Sequence, residues 1–311
     1  MKRLGLGKYF FVIVFLFAIS QIFIGCKGCN KSDEDVINIP KNLPVNQEKP
    51  KPENQEVVEQ IVNSFPSPVE VAAIIKDMEV PFSKKYLVDP DIINNYDINY
   101  KKAFGLGVLS ADLGYLNVYE RTTLIVEYLS AIKRLADDLR VGQFFDFQSF
   151  KRLATSNENL DSLVFLSVNS FSNMNRHLQE NARGNLSLLM VTGVWLEGLY
   201  LMTQVYETHP NDKLKELIGD QKTIFTILYQ GLKLYSDNDY FKTILDEFKK
   251  IDKIYSQVTI TYEKVKPSYK STQSDIPVYE QEERSVIHIS DEQIQDLIDV
   301  TKQVRNKLIN L

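Results

Sequence analysis

From residue 98 to 264 apolar side chains recur three and four positions apart. That spacing places them on one face of an α-helix. Breaks in the rhythm divide the stretch into long helices expected over 98–117, 120–139, 158–182, 185–207, 212–236 and 239–264, with shorter ones over 89–96 and 147–154. Gly142, the Thr155–Asn159 run, Gly184, His209-Pro210-Asn211-Asp212 and Ser236-Asp237-Asn238-Asp239 supply the stops and starts. Upstream, Glu56–Phe65 has the pattern of a short amphipathic helix. Ser67-Pro68-Val69-Glu70 opens another, to Met78, with serine as N-cap, proline in the first turn and glutamate reaching back. Pro81 and Pro90 then interrupt the chain. Helices of about 20–27 residues joined by short turns pack as antiparallel neighbours. The pattern therefore predicts an all-α fold, a bundle of antiparallel helical hairpins in a single domain over 55–265. Helix starts recur roughly 26 residues apart, but no residue pattern recurs with them, so a repeat solenoid is the second choice.

The two ends of the chain break this pattern. Residues 266–288 carry Pro267, Pro277 and mixed charges and are expected to form a loop with a short strand over 285–289. Ser290-Asp291-Glu292-Gln293 then caps a last amphipathic helix to Asn310, so 266–311 is a loop plus C-terminal helix. At the other end, Lys2, Arg3 and Lys8 precede an almost wholly apolar run, Tyr9–Ser20, which Ile22–Gly25 extends to Cys26. A charged start, an apolar middle and a small residue before a cut predict a signal peptide over 1–25. Residues 26–54 hold Pro40, Pro44, Pro50 and Pro52 among Lys, Asn, Glu and Gln, a composition that cannot bury a core and predicts a disordered linker.

Phe23-Ile24-Gly25-Cys26 resembles the lipobox of bacterial lipoproteins. The resemblance implies that Cys26 is acylated on its thiol and becomes the first residue after cleavage. It also implies a membrane partner reached through that lipid. Lys27, where an aspartate would retain such a protein at the inner membrane, implies the outer membrane. Ser32-Asp33-Glu34-Asp35 is similar to acidic surface-export tags, so the body is placed at the periplasmic face or the cell surface. Within the body, Ser67-Pro68-Val69-Glu70, FGLGVLSADLGYL from Phe104 and EYLSAIKRLADDL from Glu127 are similar to a family of mostly helical envelope lipoproteins with no assigned activity. That resemblance implies location and fold alone.

Composition narrows the chemistry. Cys26 and Cys29 are the only cysteines, which excludes a disulfide framework for the fold, and a lone CxxC lacks the second pair a structural zinc site needs. The net charge is −5, and loss of residues 1–25 makes it −8; no basic stripe marks a nucleic-acid surface. HExxH, GxSxG and P-loop patterns are missing, and the three histidines are scattered. Neither a metal nor a cofactor is expected, and no catalytic residue is assigned. The reading is a non-catalytic binding lipoprotein with an unknown protein or small-molecule partner. A carboxylate-dependent hydrolase and a structural subunit of an envelope complex are the competing classes.

Three features could line a binding site. Leu186–Met202 (LSLLMVTGVWLEGLYLM) holds one charge, Glu197, in a helix apolar on all sides. Such a helix lies at the centre of a bundle, so Glu197 must be paired, hydrogen-bonded or protonated. Arg121, Arg134 and Tyr115 are its candidate partners. Gly107, Ala111 and Gly114 form a small-residue stripe beside Asp112 and Tyr115, suited to tight helix packing or to a ligand. Asn169, Asn173 and His177 form a polar row that is either a solvated face or, turned inward, a pocket wall with Glu197. Asp112, Tyr115, Glu197, Asn173 and His177 are the candidate ligand contacts.

Overall fold

The computed structural model describes residues 80–155, 160–264, 268–270, 278–280 and 283–311, with Gln60 and Lys76 as isolated helical positions. The chain divides into Met1–Gln47 and Glu48–Leu311, and every described residue belongs to the second unit. The expected signal peptide, Cys26, the linker and most of the two helices before residue 80 lie outside the described residues.

The unit is mostly helical. In chain order its helices are α1 (Asn99–Val118), α2 (Thr122–Asp138), α3 (Phe147–Thr155), α4 (Leu160–Glu180), α5 (Gly184–Thr208), α6 (Asp212–Lys233), α7 (Asp239–Tyr255) and α8 (Asp291–Ile309). Their packing is that of a helical bundle. Short 3₁₀ turns occupy Lys84–Tyr86, Pro90–Asn95 and Gly142–Phe144. The stretch expected as a helix over 89–96 is thus a 3₁₀ turn, opened by Asp89 as N-cap and Pro90 in its first turn.

Helix α5 is the axis. From Leu186 to Val205 every residue is buried. It touches α1, α4, α6 and α8. Among the described residues it is the one helix long and apolar enough to cross a membrane, yet its apolar window is wholly buried within the protein. The most extensive helix pair is α1 with α5. Two glycines make it possible. A Cβ on Gly107 would stand 2.0 Å from the Met190 carbonyl oxygen, and one on Gly193 would stand 2.2 Å from that of Phe104. Each helix thus lays bare backbone against the other, and the stripe at Gly107 serves packing.

Three helices close on a left-handed residue that is not glycine. Arg140 and Ala182, rather than Gly142 and Gly184, take the left-handed conformation that closes α2 and α4, and Glu120 does so for α1. In each case the next amide reaches back to a carbonyl in the last turn: Arg121 N to Leu116 O at 3.0 Å, Val141 N to Ala136 O at 2.9 Å and Arg183 N to Leu178 O at 2.7 Å.

The helix expected to run to 264 stops at Tyr255. Thr259–Lys264 is strand β1, followed by β2 (Ser268–Lys270), β3 (Val278–Glu280) and β4 (Glu283–His288). β1 pairs antiparallel with β4, Thr259 opposite His288 and Lys264 opposite Glu283, and β2 pairs with β3. The reason lies in Thr259-Ile260-Thr261-Tyr262, a β-branched and aromatic run that fits a pleated surface better than a helix. The strand expected over 285–289 is present as β4. Gly219 of α6 leaves room for Ile287 and Ile289 to seat the ribbon on the bundle. The last helix is capped as its sequence requires: Gln293 N donates to Ser290 Oγ at 3.1 Å and Ser290 N to Gln293 Oε1 at 2.8 Å.

Gly107→Ala should lower stability by about 1–3 kcal/mol, because the added methyl overpacks a backbone contact. An ordinary helical Gly→Ala change gains up to ~1 kcal/mol, so the sign of the change in a urea titration tests the close crossing.

Candidate functional site

The apolar stripe of α8 carries Arg305 inward, toward Glu197 in the middle of α5. Arg305 Nη2 donates to Glu197 Oε1 at 2.7 Å and Nε to Oε2 at 2.9 Å. Glu197 is 0 % exposed and Arg305 6 %. The Tyr200 ring, one turn along α5, lies 4.3 Å from the guanidinium carbon and covers it. The partner of Glu197 is therefore none of the three expected. Arg121 stacks over Phe82 at 4.7 Å, Arg134 donates to Asn94 Oδ1 at 2.8 Å, and the Tyr115 hydroxyl accepts from Ser83 N at 3.1 Å.

Asp112 of α1, also 0 % exposed, joins this pair. Its Oδ2 accepts from Val88 N at 2.9 Å, while its Oδ1 has no donor. The Glu197 carboxylate is its charged neighbour. Two ionised carboxylates side by side and away from water repel each other, which favours the protonated form of Asp112. Burial pushes the Asp112 carboxyl well above the usual aspartate range, and the neighbouring Glu197 charge pushes it further, against the opposing pull of Arg305 and the Val88 amide. The cluster is then one cation, one anion and one neutral acid, with no net buried charge. Burial opposes the charge of Arg305, but the Glu197 carboxylate overrides it and holds the guanidinium ionised. Burial raises the Tyr128 phenol, which stays neutral.

The cluster fastens the chain segment that precedes α1. Backbone groups of residues 80–88 are held by side chains along its whole length. Tyr119 Oη donates to Val80 O at 2.6 Å, Ser83 N donates to Tyr115 Oη, Arg305 Nη2 donates to Tyr86 O at 3.2 Å, Val88 N donates to Asp112, and Tyr128 Oη donates to Val88 O. Phe82 stacks on Tyr115 with centroids 5.5 Å apart. Asp112 and Glu197 thus lie together in the interior, beneath the strap rather than in an open pocket, while Tyr115, one turn along α1 from Asp112, holds the strap at Ser83.

The open site lies on the outer side of that strap. Residues 84–94 and helix α2 enclose a cleft of about 760 Å³. Leu87, Val88, Ile93 and Tyr128 line its apolar part; Lys84 and Arg134 supply positive charge, and Asp89, Asp91 and Glu127 negative. The strap is pinned to α2 at Val88 by Tyr128 and at Asn94 by Arg134, so the wall is held at two points. The sequence located α2 but not the cleft, because the strap holds only short 3₁₀ turns and its partners are distant in the chain.

Asn173 and His177 are elsewhere. Asn173 Oδ1 accepts from Arg176 at 2.6 Å, and the His177 ring leans on Phe144 at 4.7 Å. Both are half-buried and Asn169 is exposed, so the row does not line a pocket with Glu197. Among the described residues no group of three or more His, Cys, Asp or Glu side chains is placed to hold a metal ion. No family model, curated protein or solved structure matches the chain.

The proton on Asp112 has a sign that can be measured. The folded carboxyl binds its proton more tightly than the unfolded one, so its contribution is complete below the unfolded value of ~3.9 and is lost as pH rises through the raised folded value. Asp112→Asn keeps an acceptor for Val88 N and carries a permanent donor for Glu197. It should flatten the fall in melting temperature between acid and alkaline pH and melt above the natural protein at the alkaline end.

Arg305→Leu strands the Glu197 charge and the Tyr86 carbonyl together. It should cost about 3–5 kcal/mol in urea unfolding.

Proposed function

We propose that the chain is a non-catalytic lipoprotein of the bacterial outer envelope. Its Cys26 lipid anchors a body of antiparallel helical hairpins, and the cleft between 84–94 and α2 holds a protein segment or small ligand. The observation that carries the binding role is the cleft itself. Its volume of about 760 Å³ lies within the ~300–1,000 Å³ of small-ligand sites. Its apolar lining and charges of both signs suit a ligand that carries both signs beside an apolar part. The leader ending in Gly25-Cys26 and the proline-bearing linker after it support the anchor. A hydrolytic role has less support: Asp112 and Glu197 are sealed from substrate, and of the cleft acids Asp89, Asp91 and Glu127, Asp89 is already engaged as the cap of Pro90–Asn95. A structural subunit has less support as well. The exposed large apolar side chains Ile98, Val126, Phe165, Ile227 and Tyr262 are spread singly over different elements, the ordinary condition of a protein surface.

The test uses the native-anchored, tagged protein. Its mature mass should begin at a diacylated Cys26, and Cys26→Ser should move it from the membrane to the soluble fraction. Material bound by the natural protein should be lost from Ser130→Trp, which places a bulky ring in the cleft. An N-terminus still at Met1 overturns the anchor, and equal retention by the Trp variant overturns the cleft.

A further inference from the structure

A second, smaller cavity lies between α1, α4 and the turn leading into α3, away from the cleft. On α1 it is bordered by Gly114 and, one turn on, Asn117. Asn117 is 7 % exposed, and neither its Nδ2 nor its Oδ1 has a hydrogen-bond partner. Leaving a buried polar group unpaired costs about 1–3 kcal/mol, and here both atoms of one amide are left so. Leu113 and the hydroxyls of Ser110 and Ser167 also border it, Ser110 Oγ donating to Leu106 O at 2.6 Å, and the rest of the wall is aromatic or thioether. Phe145 and Phe150 stack with centroids 4.1 Å apart and planes 8° from parallel, and Phe171 and Met174 of α4 stand with them around the cavity. Phe150 and Met174 are buried, whereas Phe145 and Phe171 are half-buried and mark the way in from solvent.

The space is small, about 30 Å³, where one water needs roughly 10–15 Å³ by the same kind of measure. It admits the head of a ligand and not its body. An asparagine amide offers a donor and an acceptor on one edge. Their complement is a planar group with an acceptor and a donor side by side, and a primary carboxamide is the small group of this kind that keeps its donor at neutral pH, where a carboxylic acid ionises. Its flat faces suit the ring and sulfur walls, and a planar body behind it would lie at the mouth between Phe145 and Phe171.

We propose that this cavity is a binding site for a primary carboxamide carried on a planar, apolar body. Asn117 pairs with the amide edge through both of its atoms, and the Phe145–Phe150 wall stacks on its face. The site is independent of the cleft and of the lipid anchor.

Ligand-observed saturation-transfer NMR on the full protein tests this with benzamide as probe. Benzamide should give a saturable signal in the millimolar range. N,N-dimethylbenzamide, which lacks the donor, should bind at least ~10-fold more weakly, the worth of about one hydrogen bond. Asn117→Leu should abolish the benzamide signal while melting at or above the natural temperature, since an apolar side chain suits a site whose polar atoms are unpaired. Phe171→Trp, which narrows the mouth, should weaken benzamide binding without touching Asn117. No saturable benzamide signal, equal signals from the two amides, or an unchanged signal in Asn117→Leu would each overturn the proposal and leave the cavity to water.

Discussion

A single guanidinium ties together parts of the chain that are far apart in sequence. Arg305 reaches Glu197 across 108 residues and the Tyr86 carbonyl across 219. Glu197 sits in the one helix buried along nearly its whole length, so its charge has no water to turn to. An ion in that position is tolerable only with an opposite charge and a full set of hydrogen bonds. The last helix must therefore dock before the central helix is electrostatically complete, and the strap must lie down before Arg305 is. Asp112 extends the same logic to α1, its proton making a third group compatible with the pair. The core is apolar, but the arrangement of its elements is fixed by this polar knot: apolar side chains tolerate repacking, and a two-point Arg–carboxylate bond does not.

What the sequence made legible follows from the range of each signal. Helical periodicity is local, and it located the long helices to within a few residues except at the end of α7. There the apolar rhythm ran on through Tyr255, Val258 and Tyr262 with helical spacing, and only the β-branched Thr259-Ile260-Thr261 marked the change to strand. The capping box at Ser290 was visible because it is written in four consecutive residues. Helix ends closed by Arg140 and Ala182 were not, because a left-handed residue that is not glycine leaves no compositional trace.

The same division holds at the candidate site. That Glu197 is buried followed from the seventeen-residue apolar surround in Leu186–Met202. Which cation meets it did not, because pairing between α5 and α8 is a fact of tertiary geometry, and Arg305 sits in an otherwise ordinary amphipathic helix. Asp112 and Tyr115 were singled out for standing in a glycine-rich stretch. The reason they matter differs: they hold the backbone of a segment whose own sequence, broken by prolines, forms no regular element long enough to satisfy itself. A segment without its own hydrogen-bond ladder borrows partners from the helices beneath it.

The two sides of α1 show what that borrowing achieves. Toward the strap, Asp112 and Tyr115 are engaged with backbone amides, and the polar groups of the strap find partners along its length. Toward α4, Asn117 lies in a comparable depth of burial with neither amide atom engaged. Both sides belong to one helix with the same small-residue spacing, so packing density alone does not separate them. The difference is that the strap brings backbone donors and acceptors to the first side, while the second meets mostly phenylalanine rings and a thioether, and the Ser110 and Ser167 hydroxyls that border it make no hydrogen bond to Asn117. A fold that matches its buried polar atoms so closely along 80–88 leaves Asn117 as a place where a partner from outside the chain completes the pairing.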